Sequence, residues 1–395
     1  MRGVRAGAPA GRLLRGFGAA LVCLLSMSIV ATAGDAAGSA SAAAPKVIAY
    51  VTGWSPPVSI DTSRITHVNF AFARIDGQGR VVLPDEASAT RLAEIVALKR
   101  MAPALRVLIS VGGWGAEGFS DAALTDESRA RFADSAVELM HSQAADGIDL
   151  DWEYPGQSTA GIRARPEDKR NFTLLLAALR ERLDARSRSD RRPARDGYLL
   201  TIASADREYF DHVEMDLLHR QLDWINVMAY DFYNSLTPTT GHHAGLYRAV
   251  TAPESSRWAD ASVQQHLAAG VPAHKLVLGV AFYGRRFEGV KPGELGRNQP
   301  YDRYGGDHAF AELLANYVDR AGYTRYWDET AQSPWLWNAD TRSFVSYDDP
   351  RSIGVKASYA RERGLGGVMF WELSQDADGT LLDAAHRALT GGIHD

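Results

Sequence analysis

Cysteine is almost absent from the sequence, with one residue among 395, so a disulfide framework is excluded. That single residue, Cys23, lies inside an apolar run near the amino terminus. If the run is removed on export, the mature chain has no thiol at all. A remaining chain of roughly 350 residues can still bury enough apolar surface to fold without covalent links.

The sequence also lacks clusters of basic residues. The formal net charge is -5 and the sequence pI is near 6.1, with the arginines spread along the chain. This pattern excludes the clustered positive charge by which proteins bind nucleic acid. A hydrophobic content of 46% excludes a disordered chain, and the charge balance favours a neutral substrate.

The amino terminus has the pattern of a secretory signal. Arg2, Arg5, Arg12 and Arg15 precede the run FGAALVCLLSMSIVATA, which ends in small residues. At about 17 residues the run is marginal for a membrane span, so we predict cleavage rather than anchoring. We therefore expect a secreted, extracellular protein, with the periplasm as the other destination. The predicted divisions are a signal peptide at 1–33, an Ala/Ser/Gly-rich linker at 34–45 and a folded catalytic domain at 46–395.

From Lys46 onward, β-branched and aromatic runs alternate with longer helix-forming segments, which is typical of an α/β fold with a parallel sheet. Eight such runs predict a TIM (β/α)8 barrel. An open doubly wound sheet is the alternative, and the lack of a GxGxxG turn after the first run disfavours it. The runs are KVIAYV, ITHVNFAFA, LRVLISVGG, DGIDLDWEY, YLLTIASA, LDWINVMAY, KLVLGVAFY and GGVMFWE.

The connection between the seventh and eighth runs is too long for a barrel. It has about eighty residues, where a connection with its helix needs about 25 to 35. The segment 286–349 is rich in aromatic and turn residues. We predict that it forms a small α+β insertion on the upper rim, and that the helix SIGVKASYARERG follows it.

The stretch DGIDLDWEYPG places acids at alternate positions. In a strand, Asp149, Asp151 and Glu153 share one face, and the apolar residues between them share the other. In a closed barrel the acids then point inward, with Glu153 nearest the carboxyl end, where barrel enzymes place catalytic groups. Stacked carboxylates in a poorly solvated interior cannot all ionise, so at least one holds the proton that a general acid needs.

Two other interpretations of this stretch remain open. The three acids span about 13 Å of strand, whereas metal ligands lie about 2.0 to 2.6 Å from their ion, so at most a pair could bind one metal. His242 and His243 lie in a Gly/Thr-rich loop and are interpreted as an ordinary loop pair. A half-exposed strand with a solvated acidic face is the second alternative. We expect neither a metal nor a cofactor.

Large apolar side chains recur at or just beyond the carboxyl ends of the predicted strands. Aromatic faces stack beneath sugar rings and offer contact without charge. An uncharged, hydroxylated, ring-shaped substrate therefore fits, and we predict a saccharide. The predicted cleft residues are Tyr50, Phe72, Trp114, Met228, Tyr230, Tyr283 and Trp371.

Several motifs resemble those of glycoside hydrolase family 18, the family of many chitinases. DGIDLDWEY is similar to the family's DxxDxDxE signature. SVGG from Ser110, MAYD from Met228, YGRRF from Tyr283 and FWEL from Phe370 resemble its third-, sixth-, seventh- and eighth-strand motifs. The resemblance runs from Lys46 to the end of the chain and includes an insertion after the seventh strand.

The resemblance implies a role for each acid. Glu153 would protonate the glycosidic oxygen and later activate water as a base. Asp151 would orient the substrate's N-acetyl group and share a proton with Asp149, and Asp146 would be structural. The nucleophile would be the acetamido carbonyl of the substrate, with retention of configuration, although spacing alone also allows Asp151 as the nucleophile. The other implied contacts are Tyr230 with the acetamide, Asp231 with the sugar, Trp371 beneath the ring, and Met228, Tyr283 and Arg285 along the cleft.

The expected function is a secreted chitinase that hydrolyses β-1,4 bonds between N-acetylglucosamine residues of chitin or chitooligosaccharides. The alternatives are an endo-β-N-acetylglucosaminidase acting on N-glycans or peptidoglycan, and a non-hydrolytic chitin-binding lectin. Lectins of this type lack the acid that is present here as Glu153. We expect a monomer with no nucleic-acid partner, no membrane partner after signal cleavage, and weak binding to crystalline chitin.

Overall fold

A computed structural model describes residues 44–391. The predicted signal peptide and most of the predicted linker lie outside the described residues. Within residues 44–391, no helix is both long enough and apolar enough to cross a membrane.

The strands of the described residues are numbered in chain order. They are β1 (Lys46–Thr52), β2 (His67–Ile75), β3 (Val81–Val82), β4 (Arg106–Gly112), β5 (Gly147–Asp151), β6 (Leu199–Ser204), β7 (Trp224–Val227), β8 (Leu276–Ala281), β9 (Tyr283–Glu288), β10 (Arg303–Ala309), β11 (Thr324–Asp328), β12 (Ser333–Asn338), β13 (Ser343–Tyr347) and β14 (Gly367–Trp371).

The α-helices of the same region are also numbered in chain order. They are α1 (Glu86–Ala97), α2 (Phe119–Ala122), α3 (Asp126–Ser142), α4 (Asp168–Ser189), α5 (Met215–Leu218), α6 (Ala259–Ala268), α7 (Phe310–Asn316), α8 (Pro350–Glu362) and α9 (Thr380–Thr390).

Eight parallel strands close into a barrel. They follow the order β1-β14-β8-β7-β6-β5-β4-β2, and β1 pairs with both β14 and β2, which closes the ring. These eight strands correspond to the eight predicted runs, so the predicted TIM barrel is confirmed. The short β3 pairs antiparallel with the end of β2 outside the ring.

A second sheet interrupts the barrel between β8 and β14. It has five antiparallel strands in the order β10-β9-β13-β12-β11, with α7 between β10 and β11. The predicted α+β insertion after the seventh barrel strand is therefore present. The chain then returns to the barrel through α8, whose start is capped by Asp349 and Ser352 in a reciprocal pair of hydrogen bonds.

The alternation along β5 decides which side chains reach the barrel axis. Ile148 and Leu150 belong to the core between strands and helices, whereas Asp149 lies among residues of the barrel interior. Trp152, just past the strand, stacks on Phe119 with ring centroids 5.2 Å apart and meets the edge of Phe172 at 5.4 Å. This outward anchor directs the neighbouring acids inward.

Candidate active site

Glu153 lies two residues beyond the end of β5, at the carboxyl end of the barrel. A buried carboxylate at the start of α4, that of Asp168, holds the loop that follows. It accepts hydrogen bonds from the backbone N–H of Gly156 at 3.2 Å, from that of Arg165 at 2.7 Å and from the hydroxyl of Ser120 at 2.7 Å. The loop that follows Glu153 is thus tied to the start of α4 and, through Ser120, to α2.

Asp149 is fully buried and surrounded by donors. Its Oδ2 accepts hydrogen bonds from Tyr50 at 2.8 Å and Ser110 at 2.7 Å, and its Oδ1 accepts from Thr201 at 2.5 Å and Asn226 at 3.3 Å. Burial raises the pKa of Asp149, and these four hydrogen bonds oppose that rise. Such a complete set of donors stabilises the carboxylate as an anion.

Asp151, unlike Asp149, has few hydrogen-bond donors around it. Its Oδ1 is buried and has no hydrogen-bond partner among the described residues. Burial, together with the charges of Glu153 and Asp149, raises the pKa of Asp151 well above its usual value. These surroundings therefore favour the protonated form of Asp151. The hydrogen bonds among the described residues include none between Asp149 and Asp151, so the sharing of a proton between them stays a prediction.

Glu153 is half-buried at the mouth of the stack. Burial raises its pKa to about 7, while a hydrogen bond with Tyr154 opposes the rise and the charge of Asp231 adds to it. A carboxyl group with this pKa is protonated in a large fraction of molecules near neutral pH and can then lose that proton. This is the property that a general acid and base requires.

Asp231 is held at the centre of a charged network. Its Oδ1 accepts hydrogen bonds from the Tyr283 hydroxyl at 2.5 Å and from Arg285 Nε at 2.6 Å, and His243 Nδ1 lies 3.7 Å away. Burial alone would raise the pKa of Asp231, but His243 and the charge of Arg285 hold it well below its usual range. Arg285 also donates to Asp307 at 2.8 Å, so the network joins the loop after β7 to the insertion sheet.

His243 was not expected to contribute to the site. It is completely buried, its ring centroid is 5.2 Å from that of Tyr283, and neither ring nitrogen has a hydrogen-bond partner among the described residues. Its backbone N–H donates to Ser346 on β13 at 2.8 Å. His243 lies in a loop, as predicted, but the sequence did not predict its burial, its approach to Asp231 or its hydrogen bond to β13.

The predicted aromatic cleft forms around Trp371. The Trp371 ring stacks on Phe72 with centroids 5.6 Å apart and is tilted against Tyr50 at the same distance. Trp54, which lies beyond β1 and was not predicted, adds an indole at 6.5 Å and is 67% exposed. Tyr50 itself is only 2% exposed, so its hydroxyl serves Asp149 and Trp54 supplies the accessible surface above it.

The remaining predicted residues lie around the same opening. Met228, Tyr230 and Tyr283 pack in one apolar cluster with Tyr50, Phe72 and Trp371. Trp114, which is 58% exposed, lies outside that cluster, where it meets the edge of Tyr154 at 6.2 Å. Exposed indoles at two places on one opening can stack on two different rings of an extended ligand.

A family model described as "Glycosyl hydrolases family 18" matches residues 46–376. The chain belongs to this family. The match covers the barrel and the insertion sheet, in agreement with the resemblance of the strand motifs.

Named relatives of the family are similar over most of this chain. "Chitinase A1" of Niallia circulans is 37% identical over 94% of this chain. A solved cell-surface-expressed multi-modular chitinase from Paenibacillus sp. str. FPU-7 is 40% identical with a TM-score of 0.82 over 88% of this chain. This chain spans only 62% of the first relative and 33% of the second.

One solved structure has nearly the same extent as the described domain. It is a family 18 N-acetylglucosaminidase from Paenibacillus barengoltzii, 41% identical with a TM-score of 0.80. The similarity covers 87% of this chain and 100% of that chain. The whole of that solved chain therefore aligns with the barrel and insertion of this protein.

Proposed function

We propose that the protein is a chitinase that hydrolyses β-1,4 bonds between N-acetylglucosamine residues by a retaining, substrate-assisted mechanism. The observation that carries the proposal is a carboxyl group of pKa about 7, that of Glu153, at the mouth of a cleft with exposed indoles. Chitinases among the similar proteins support the choice of substrate.

The first step requires a proton donor and a nucleophile on the sugar. Glu153 gives its proton to the glycosidic oxygen as the bond from that oxygen to C1 breaks. The carbonyl oxygen of the substrate's own 2-acetamido group attacks C1 and forms an oxazolinium ion, as in the family that departs from the scheme with two protein carboxylates. The unpaired oxygen of Asp151 supports a role in holding the acetamide N–H, since it is a buried acceptor without a partner among the described residues.

The second step reverses the proton transfer. Glu153, now a carboxylate, takes a proton from water, whose oxygen attacks C1 from the side that the leaving group vacated. The oxazolinium ring opens and the original configuration returns. The four hydrogen bonds to Asp149 oppose the rise of its pKa that burial causes, and the anionic form that they favour would stabilise the positive intermediate above it.

The other site residues are proposed to hold the sugar. Trp371 forms the floor under the ring at the cleavage point, and Tyr230 donates to the acetamide. Asp231 accepts from a sugar hydroxyl while Tyr283 and Arg285 keep its carboxylate in place. Met228, Phe72, Trp54 and Trp114 complete the apolar walls.

Matched glycosides with and without the N-acetyl group test the mechanism. We expect cleavage only of the acetylated glycoside, with the β-anomer formed first. Efficient cleavage of the unacetylated glycoside would contradict substrate assistance and would return Asp151 to the role of direct nucleophile.

Release of single N-acetylglucosamine units is the second candidate. The favouring observation is the N-acetylglucosaminidase whose entire solved chain this domain covers. Products of chitohexaose separate the two candidates, because an endo-acting enzyme gives dimers to tetramers first and an exo-acting one gives monomer from the start. Glycopeptide and peptidoglycan in the same panel test the glycan-releasing alternative, and binding without turnover of any substrate would indicate a lectin.

Export and the division of the chain are part of the proposal. We propose that residues 1–33 are a signal peptide, that 34–45 form a linker and that the enzyme acts outside the cytoplasm as a monomer. The amino-terminal sequence and the mass of the protein recovered from the medium test these points together.

A further inference from the structure

A second cavity lies at the end of the barrel opposite the acids. We call it the basal pocket, and its volume is about 310 Å³. Five barrel strands each contribute their first residue to its wall, so the pocket is formed by the lowest inward-facing layer of the barrel. The residues that line it are Lys46, His67, Arg106, Arg195, Asp196, Gly197, Leu199, Asp223 and Trp224.

The composition of this layer is unusual for a barrel. Barrel interiors are normally filled by branched apolar side chains in packed layers. Here Lys46, His67 and Arg106 occupy such positions, and the pocket is left open between them. Charged groups are costly to withdraw from water unless a counter-charge accompanies them.

The two acids of the pocket are already paired. Asp196 accepts from Arg106 at 2.8 Å, and Asp223 accepts from Arg180 at 3.2 Å and from the backbone N–H of Leu200 at 2.7 Å. Each carboxylate is therefore already paired with an arginine, although burial lowers the pKa of Lys46 and the charge of Asp223 opposes that fall.

Lys46 and Arg195 have no such partner. Within residues 44–391, no carboxylate oxygen lies within the 4.0 Å ion-pair distance of either side chain. Lys46 Nζ instead lies 5.1 Å from the ring centre of Trp224. The pocket thus has two cations without a direct ion pair among the described residues, and one of them, Arg195, is exposed to solvent.

The positive charges of the pocket also affect the pKa of His67. Burial lowers the pKa of His67 to about 3, and the charges of Lys46 and Arg106 add to the effect. One layer above, on the same face of β2, Asn69 is buried with neither amide atom hydrogen-bonded among the described residues. The amide of Asn69 is therefore a buried polar group without a partner among the described residues.

We propose that the basal pocket binds a small oxyanion of the phosphate or carboxylate type between Lys46 and Arg195, beside Trp224. An oxyanion would give these two cations a direct counter-charge and would accept several hydrogen bonds at once. The volume corresponds to about ten water molecules at about 30 Å³ each, which accommodates such an anion with part of its hydration shell. The site is separate from the cleft and does not depend on the proposed hydrolysis.

Inorganic phosphate is the probe for this proposal. Isothermal titration at pH 7 is performed against sodium chloride of equal ionic strength, on the full chain. We expect saturable binding of phosphate by the wild type. Lys46→Gln and Arg195→Gln should each weaken it by about tenfold, the loss expected for one charge-assisted hydrogen bond. Arg320→Gln, which changes an exposed arginine remote from the pocket, should bind as the wild type does.

Two further measurements distinguish the outcomes. Phosphate should bind Glu153→Gln with unchanged affinity, and chitooligosaccharide should not displace it, since the two sites are at opposite ends of the barrel. Arg195 is exposed, so Arg195→Gln tests the proposal even if Lys46→Gln does not fold. Absence of saturable binding by the wild type, or equal affinity in Arg195→Gln and Arg320→Gln, would overturn the proposal.

Discussion

Asp149, Asp151 and Glu153 share the inward side of one strand and its extension, but their surroundings differ. Four donors saturate Asp149, Asp151 has an unpaired buried oxygen, and Glu153 faces the opening. Carboxyl groups on one strand therefore differ in how strongly their surroundings raise the pKa. At the residue scale, function depends on this distribution of hydrogen bonds rather than on the number of acids.

Replacing the acid at the mouth tests that distribution. Glu153→Gln removes the transferable proton but keeps the size of the side chain, so we expect turnover of chitotetraose to fall by about 10²- to 10⁴-fold while binding persists. Initial rates and calorimetric binding measure the two effects. Glu362→Gln, an exposed change at the end of α8, is the matched control, and equal rates for the two variants would refute the assignment.

The pH profile follows from the same group. Because the pKa of Glu153 is raised to about 7 and the acid must be protonated, kcat/KM should fall as pH rises above about 7, approaching tenfold per unit. The charge of Asp231 contributes to that raised pKa, so Asp231→Asn should move the fall to lower pH. A profile that stays level to pH 9 would show that Glu153 is not the proton donor.

His243 offers a sharper test of how Asp231 is held. Its Nδ1 faces Asp231 at 3.7 Å, and the amide nitrogen of an asparagine would lie at a similar place. We expect His243→Asn to keep KM near the wild-type value and His243→Leu to raise it by about tenfold, as loss of one polar contact to a charged group implies. Steady-state kinetics on chitotetraose, with melting temperatures to exclude misfolding, decide between them.

At the scale of elements, β9 of the insertion sheet reaches back to the barrel. Arg285 on β9 donates both to Asp231 in the loop after β7 and to Asp307 on β10. The insertion thus takes part in holding a cleft carboxylate. Arg285 therefore links the barrel to the insertion sheet, which the strand order alone does not show.

Changes at Asp307 and at Arg285 should affect KM to different extents. Asp307 is 55% exposed at its side chain, whereas Arg285 is 13% exposed. An exposed ion pair contributes about 1 kcal/mol or less, so Asp307→Asn should change KM by less than about fivefold. Arg285→Lys cannot reproduce the guanidinium fork, and we expect a larger increase in KM. Similar values for the two variants would contradict the proposed order.

Strand periodicity predicted the inward acids and the eight barrel strands, because both depend on neighbours along the chain. It did not predict the role of His243, which Ser346 holds from a distant strand. Trp54 was also not predicted as a cleft residue. Tyr50 was chosen as the aromatic residue at the end of β1, but the exposed ring is that of Trp54, four residues later. The basal pocket could not be predicted, because its wall combines the first residues of five strands. Their alignment depends on pairing between strands that are far apart in the sequence.

At the scale of the molecule, the folded domain is expected to begin at Lys46. A chain that lacks residues 1–43 should therefore melt at the same temperature as the full chain by circular dichroism. A chain that ends at Gly366 lacks β14 and should not fold, because the parallel ring is then open. A lower melting temperature in the first chain would mean that the predicted linker contributes to stability.

Closure of the barrel also sets the timing of folding. The strand that completes the ring pairs Lys46 with Gly367, so a contact between the two ends of the domain must wait until nearly all of it has been synthesised. Such long sequence separations slow folding. Since Trp371 is the last residue of that closing strand, a nascent chain contains Asp149, Asp151 and Glu153 long before the ring can close, bury these acids and complete the proposed binding surface.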